Sequence, residues 1–150
     1  MRRSSTSALP EPVFFTDRDL GLSVPAALRI GGQRIEAYAD HFASDHVADG
    51  EWLRLVGERG WVALTHNKRI RWERDELSDL MTHRVRAFFI IGKGPHPALA
   101  AAVLRNINKV KRLIRDQPAP FAARIYQERD DVNLWVTHRQ WMEGRRIGRW

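Results

Sequence analysis

The sequence predicts a three-layer α/β/α sandwich built on a central parallel sheet, and three observations carry that expectation. Five short apolar runs recur along the chain, each closed by polar or glycine-containing sequence. Segments with helical apolar spacing lie between them, and strand–helix–strand units of this kind imply crossover connections that cover both faces of a parallel sheet. With 150 residues and 43% hydrophobic content, the chain is long enough for one domain with a sizeable core and too short for two domains.

The elements follow in order. "VFFT" at 13–16 reads as the first strand. In "VPAALRIGG" Pro25 stands near a helix start and Gly31-Gly32 at its end. "RIEAYA" at 34–39 reads as the second strand, and "DGEWLRLVGERG" as a helix whose apolar Trp52, Leu53, Leu55 and Val56 precede Gly60. "WVALT" at 61–65 and "VRAFFII" at 85–91 are the third and fourth strands. "HPALAAAVLRNINKVKRLIRDQP" reads as one long helix, with Leu99, Val103, Ile107, Val110 and Ile114 on one buried face and Pro118 at its exit. "FAARIYQ" at 121–127 is the last strand. Residues 1–12 are expected to form a flexible N-terminal segment, 13–137 the folded domain, and 138–150 a basic tail.

Composition narrows the function classes. The absence of cysteine excludes disulfides and thiolate-bound zinc, and neither a signal peptide nor a membrane-length apolar run is visible, so a cytoplasmic protein with no membrane partner is expected. Lys and Arg number 25 against 18 Asp and Glu, a net charge of +7 that favours polyanionic partners.

In an open parallel sheet, ligands bind beyond the carboxyl ends of the strands. Residues just after the apolar runs are therefore expected to converge: Asp17 and Asp19 after the first, Asp40 after the second, and Thr65-His66-Asn67-Lys68 after the third. The helix near Asp49 and Glu51 should open at the same edge. Clustered carboxylates repel one another unless a cation neutralises them, and hard oxygen donors without thiolates suit Mg2+ or Mn2+. Capping is the competing use of the same residues, at a helix start for Asp49 and in a turn for Asp17 or Asp19; spacing leaves both uses open. "NKRIRWER" offers Lys68, Arg69, Arg71 and Arg74 to a phosphate backbone, whereas Arg105, Lys109 and Arg112 read as the solvated side of the long helix. His41 and His46 lie five residues apart, which fits no single-face helical metal pair.

Taken in order, "FFTDRDLG", "VPAALRIGG", "DGEWLRLVGERGWVALTHNKRI" and "APFAARIY" resemble the PIN-like branch of small nucleases, the group containing VapC-type toxins of bacterial toxin–antitoxin pairs. The resemblance covers residues 13 to 127. It implies an Mg2+- or Mn2+-dependent endoribonuclease acting on RNA, with a small antitoxin protein as partner and a homodimer as one assembly open to it. Carried over residue by residue, the acid ending the first strand is Asp17 and the acid starting the central helix is Asp49. The third position, in a Thr-x-Asp pattern, falls on Asn67. An asparagine oxygen can ligate a hard cation but brings no charge. Asp40 is the preferred source of the missing charge, Glu51 and Lys68 are further auxiliaries, and Asp19 is assigned chiefly to the turn into Leu20-Gly21. The alternative is a catalytically weakened module that binds RNA or a protein partner without cleavage.

Overall fold

The computed structural model describes residues 10–44, 47–67 and 74–144, without the side chains of Asp49, Asn67, Arg74 and Asp75. Among these residues six strands form one sheet: β1 (Val13–Thr16), β2 (Arg34–Ala37), β3 (Val62–Asn67), β4 (Arg86–Ile91), β5 (Phe121–Tyr126) and β6 (Val132–Thr137). The helices are α1 (Ser23–Ile30), α2 (Tyr38–His41), α3 (Asp49–Arg59), α4 (Arg74–Thr82), α5 (His96–Arg105), α6 (Ile107–Asp116) and α7 (His138–Met142). The strand order is β2-β1-β3-β4-β5-β6, parallel through β5 and antiparallel between β5 and β6. This is the expected α/β/α architecture.

Alternation along the strands divides the core in two. Phe14, Leu64, Phe88 and Ile90 pack against Val24 and Leu28 of α1, Leu99 and Val103 of α5, and Val110 of α6. Phe15, Ala63, Ala87 and Phe89 face the other way, against Trp52, Leu53 and Val56 of α3 and Leu77 and Leu80 of α4. Phe14 and Phe15 are both fully buried, so β1 is covered on both sides, each ring contributing roughly 1.5–3 kcal/mol of burial. The β1–β2 and β4–β5 connections step in opposite directions while their helices cover the same face. They therefore have opposite hands, a departure from the single hand that parallel crossovers nearly always share.

Four features differ from the sequence expectation. The second strand stops at Ala37, because the Asp40 carboxylate accepts the Ala37 N–H at 3.0 Å and turns residues 38–41 into a short helix. The long helix is two helices: the buried Asn106 side chain donates to the Ala102 carbonyl at 2.8 Å, and the backbone leaves the helical region there. Its apolar face survives the break, since Ile107 and Ile114 still pack on the first core. Helix α4 was not expected, although Leu77, Leu80 and Met81 keep helical spacing and are buried. Nor was β6, an edge strand in which Val136 alone is buried.

Of the expected tail, residues 138–142 are helical. Thr137 and Gln140 cap α7 reciprocally, and Trp141 packs against the second core. Residues 1–9 and 145–150 lie outside the described residues. Among the described residues no helix is long and apolar enough to cross a membrane.

Helices α3 and α4 touch through Gly57. A Cβ built there would stand 2.1 Å from the His83 carbonyl oxygen at the end of α4. Gly57→Ala is expected to force the helices apart and cost about 1–3 kcal/mol despite alanine's better helix propensity. Urea denaturation checks this; an unchanged or raised midpoint would contradict the close approach.

Candidate active site at the carboxyl edge of the sheet

β1 is the central point of the topology. β2 lies on one side of it and β3 on the other, so the chain turns in opposite directions from neighbouring strand ends and leaves a crevice beyond their carboxyl termini. Asp17 is the first residue after β1 and stands at that switch point. Its N–H donates to the Leu64 carbonyl at 3.0 Å, extending the β1–β3 pairing by one bond. Its Oδ1 accepts the Arg18 N–H at 2.6 Å, and its Oδ2 accepts the Thr65 hydroxyl at 2.9 Å. Asp17 is only 9% exposed. Two short bonds to an anion are stronger than neutral ones and set the direction of the carboxylate, while each oxygen has a second lone pair.

The other sequence-derived residues fall around this edge in different ways. Asp49 occupies the first position of α3 and Asn67 the last of β3, with Ala48 rather than Asp49 in the cap position. Glu51, in the first turn of α3, is exposed. Asp19 lies exposed in the single 3-10 turn over Arg18–Leu20, 3.9 Å from the Arg18 guanidinium, and the turn closes with Gly21 N–H donating to Arg18 O. Asp40 is committed elsewhere: besides capping α2 it receives the Arg29 guanidinium at 3.1 Å. Lys68, Arg69 and Arg71 lie outside the described residues, and Arg74 is the first residue of α4.

His66 is 7% exposed, and its Nε2 lies 2.6 Å from the Gly92 carbonyl. A carbonyl only accepts, so Nε2 carries a proton and donates it to Gly92, while the buried Nδ1 has no hydrogen-bond partner. The hydroxyl of fully buried Thr16, the last residue of β1, also has no partner. Tyr126, at the end of β5, is raised by burial; hydrogen bonds from Arg124 and Asn133 and the charges of Arg124 and Arg129 outweigh this and hold its phenol below the usual value.

Two groups at this edge escaped sequence reasoning. Asp79 of α4 reaches the start of α3, where its Oδ2 lies 3.2 Å from the place a Cβ on Gly50 would take. The spacing of Leu77, Leu80 and Met81 was the available signal, since it defines α4. Lys93 follows β4 and is exposed. Helices α1, α3, α4 and α5 all run from this edge back toward the next strand's start, so their N-terminal partial charges favour an anion here.

Among the described residues no three His, Asp or Glu side chains converge. A divalent ion at this edge would therefore combine Asp17 with donors outside that set, of which Asp49 and Asn67 are the nearest in topology. Asp17, Asp49 and Asn67 would offer oxygen donors, in keeping with a hard cation.

A family profile described as "PIN like domain" matches residues 12–92, more than half of the chain. The chain belongs to the PIN-like domain family. PIN-like domains are typically nucleases. The matched span runs from β1 through β4 and contains Asp17, Asp49 and Asn67, so the PIN-like match and the carboxyl-edge crevice fall on the same part of the molecule. Neither a curated protein nor a solved structure matches the chain.

If the Thr65 hydroxyl aims the Asp17 carboxylate of this PIN-like domain, Thr65→Val is expected to lower nuclease activity about 10–100-fold, the usual scale for an outer partner of a ligating group. The loss of stability should stay near 1 kcal/mol. Steady-state cleavage and thermal melting of the same preparation check both, and full activity in Thr65→Val would remove the hydroxyl from the site.

Proposed function

We propose that this PIN-like domain is a metal-dependent endoribonuclease, acting as the toxin component of a bacterial toxin–antitoxin pair, with RNA as substrate and a small antitoxin protein as partner. The observation that carries the reading is the Asp17 carboxylate, buried at the switch point and fixed by the Thr65 hydroxyl and the Arg18 amide. Asp17, Asp49 and Asn67 would hold Mg2+ or Mn2+. When bound, such an ion supplies Lewis-acid chemistry, neutralising phosphate charge and acidifying water.

The chain's own residues do the rest. Thr65 and the Arg18 N–H keep Asp17 in one orientation, so no reorganisation is needed when substrate arrives. The N-termini of α3 and α5 and the exposed Lys93 favour the phosphodiester at this edge, and Lys68, Arg69, Arg71 and Arg74 extend the basic path along the RNA backbone. Asp79, lying against Gly50, is better placed than Asp40 to add negative charge beside α3, since Asp40 is held by Arg29 and the α2 cap. The size of the domain and the resemblance to VapC-type toxins support the toxin reading.

One observation favours a second reading. Asn67 stands where the family pattern has an acid, which lowers the negative charge available to the cation. The second reading is a PIN-like module that binds RNA or a protein partner without cleaving.

Asp17→Asn is expected to abolish cleavage of structured RNA and to remove the rise in melting temperature produced by millimolar Mn2+, because ligand binding stabilises only a protein that can bind it. Its fold should persist, as the amide preserves the shape of the carboxylate. Asn67→Asp is expected to tighten Mn2+ and raise activity. Equal cleavage by wild type and Asp17→Asn would refute the assignment of catalysis to this edge; cleavage by Asn67→Asp alone would select the weakened-module reading.

A further inference from the structure

At the opposite end of the sheet the strands begin, and the structure opens into a cavity of about 800 Å3. Six cations line it: Arg34 at the start of β2, Arg86 at the start of β4, Arg59 in the last turn of α3, and Lys111, Arg112 and Arg115 of α6. Glu11 is the one carboxylate in the lining.

Part of this charge has a local explanation. Lys111 pairs with Glu11 at 3.0 Å, Arg115 with Asp116 at 2.9 Å, and Arg59 lies 5.4 Å over the Trp61 ring. Arg59 and Arg115 also sit in last turns, where the helix dipole favours cations. Arg112 adds to the Arg115 hydrogen bond in holding the Asp116 carboxyl below its usual value, whereas Arg34 and Arg86 have no such account. Among the described residues no carboxylate lies within ion-pair distance of any of them. The buried Nε of Arg86 has no hydrogen-bond partner at all. Two guanidiniums without a carboxylate, from two separate strands, leave fork-shaped donors unused at one cavity.

We propose that this cavity binds a small polyphosphorylated ligand of nucleotide size. Guanidinium forks match phosphate oxygens two at a time, which makes arginine the residue of choice for such groups. The volume lies in the range of about 300–1,000 Å3 typical of small-molecule sites. Six lining cations against the carboxylates Glu11 and Asp116 leave a surplus of four positive charges, which exceeds the charge of at most about −2 on one phosphate group at neutral pH. Arg34 and Arg86 open strands separated by β1 and β3, roughly 14 Å apart at the backbone, a spread that suits a chain of phosphates. Extended RNA fits less well, because β3 alone sets this edge roughly 20 Å from the Asp17 edge and a strand bound here would not present its phosphodiester there. The site is independent of the nuclease reading.

Isothermal titration of the full chain, in chelator and at constant ionic strength, tests it with ATP, pyrophosphate, inorganic phosphate, oligoglutamate and single-stranded RNA as probes. ATP and pyrophosphate are expected to bind, with inorganic phosphate at least tenfold weaker. The double variant Arg34→Gln/Arg112→Gln, changed at two exposed positions, should keep its circular dichroism and lose at least tenfold in ATP affinity, and Arg34→Gln alone about threefold. Asp17→Asn should bind ATP as wild type does, which separates this site from the carboxyl edge. The proposal is overturned if no phosphate probe binds, if wild type and both variants bind ATP equally, if inorganic phosphate binds as tightly as pyrophosphate, or if oligoglutamate or RNA binds more tightly than ATP.

Discussion

The hydrogen bond between the Thr65 hydroxyl and Asp17 Oδ2 joins the two strands on which the rest of the candidate site depends. It sits where the β1–β3 pairing runs out, one residue beyond the last paired positions Thr16 and Leu64, and the Asp17 N–H to Leu64 carbonyl bond lies beside it. A carboxylate this deeply buried is tolerable only with donors aimed at it. Thr65 can supply one because its side chain points to the same face as Ala63, toward α3 and α4, while Leu64 beside it is directed to the other core. Packing of the two cores therefore sets the direction of the one acid that the proposed chemistry most needs.

The two ends of the sheet are electrically distinct for a reason built into a parallel fold. Each crossover helix leaves from the carboxyl edge and delivers the chain to the amino edge, so N-terminal donors collect at one end and C-terminal carbonyls at the other. At the carboxyl edge the helix ends favour an anion, and the acids there must be held by hydrogen bonds or, as proposed, by a cation. At the amino edge the helix ends favour cations, which accounts for Arg59 and Arg115. They do not account for Arg34 and Arg86, which belong to strands; that surplus is what distinguishes the amino-edge cavity from an ordinary solvated surface.

Several polar residues that look functional in isolation turn out to hold the scaffold. Asp40 terminates β2 and anchors Arg29, which also donates to the Ile35 carbonyl. Arg105 and Lys109 bind the turn between β5 and β6, through Asp130 and the Gln127 carbonyl. His66 donates to Gly92, and Gln127 bonds both the N–H and the carbonyl of Gly94, tying the β4–α5 loop to the end of β5. These bonds satisfy backbone groups that the ends of β4 and β5 would otherwise leave open.

The sequence by itself determined the fold class, the five parallel strands to within two residues at each end, and the placement of Asp17, Asp49 and Asn67 at strand or helix ends, because apolar periodicity and terminators are local properties of the chain. It could not show the break at Asn106, the capping use of Asp40 or the edge strand β6, since each depends on which partner a side chain or backbone finds in space. Asp79 beside Gly50, and Arg34 lining one cavity with the cations of α6, were equally invisible: these residues are distant in sequence and are brought together only when the helices settle on the sheet. Local pattern decides what each segment becomes, but the strand order decides which segments meet at either edge.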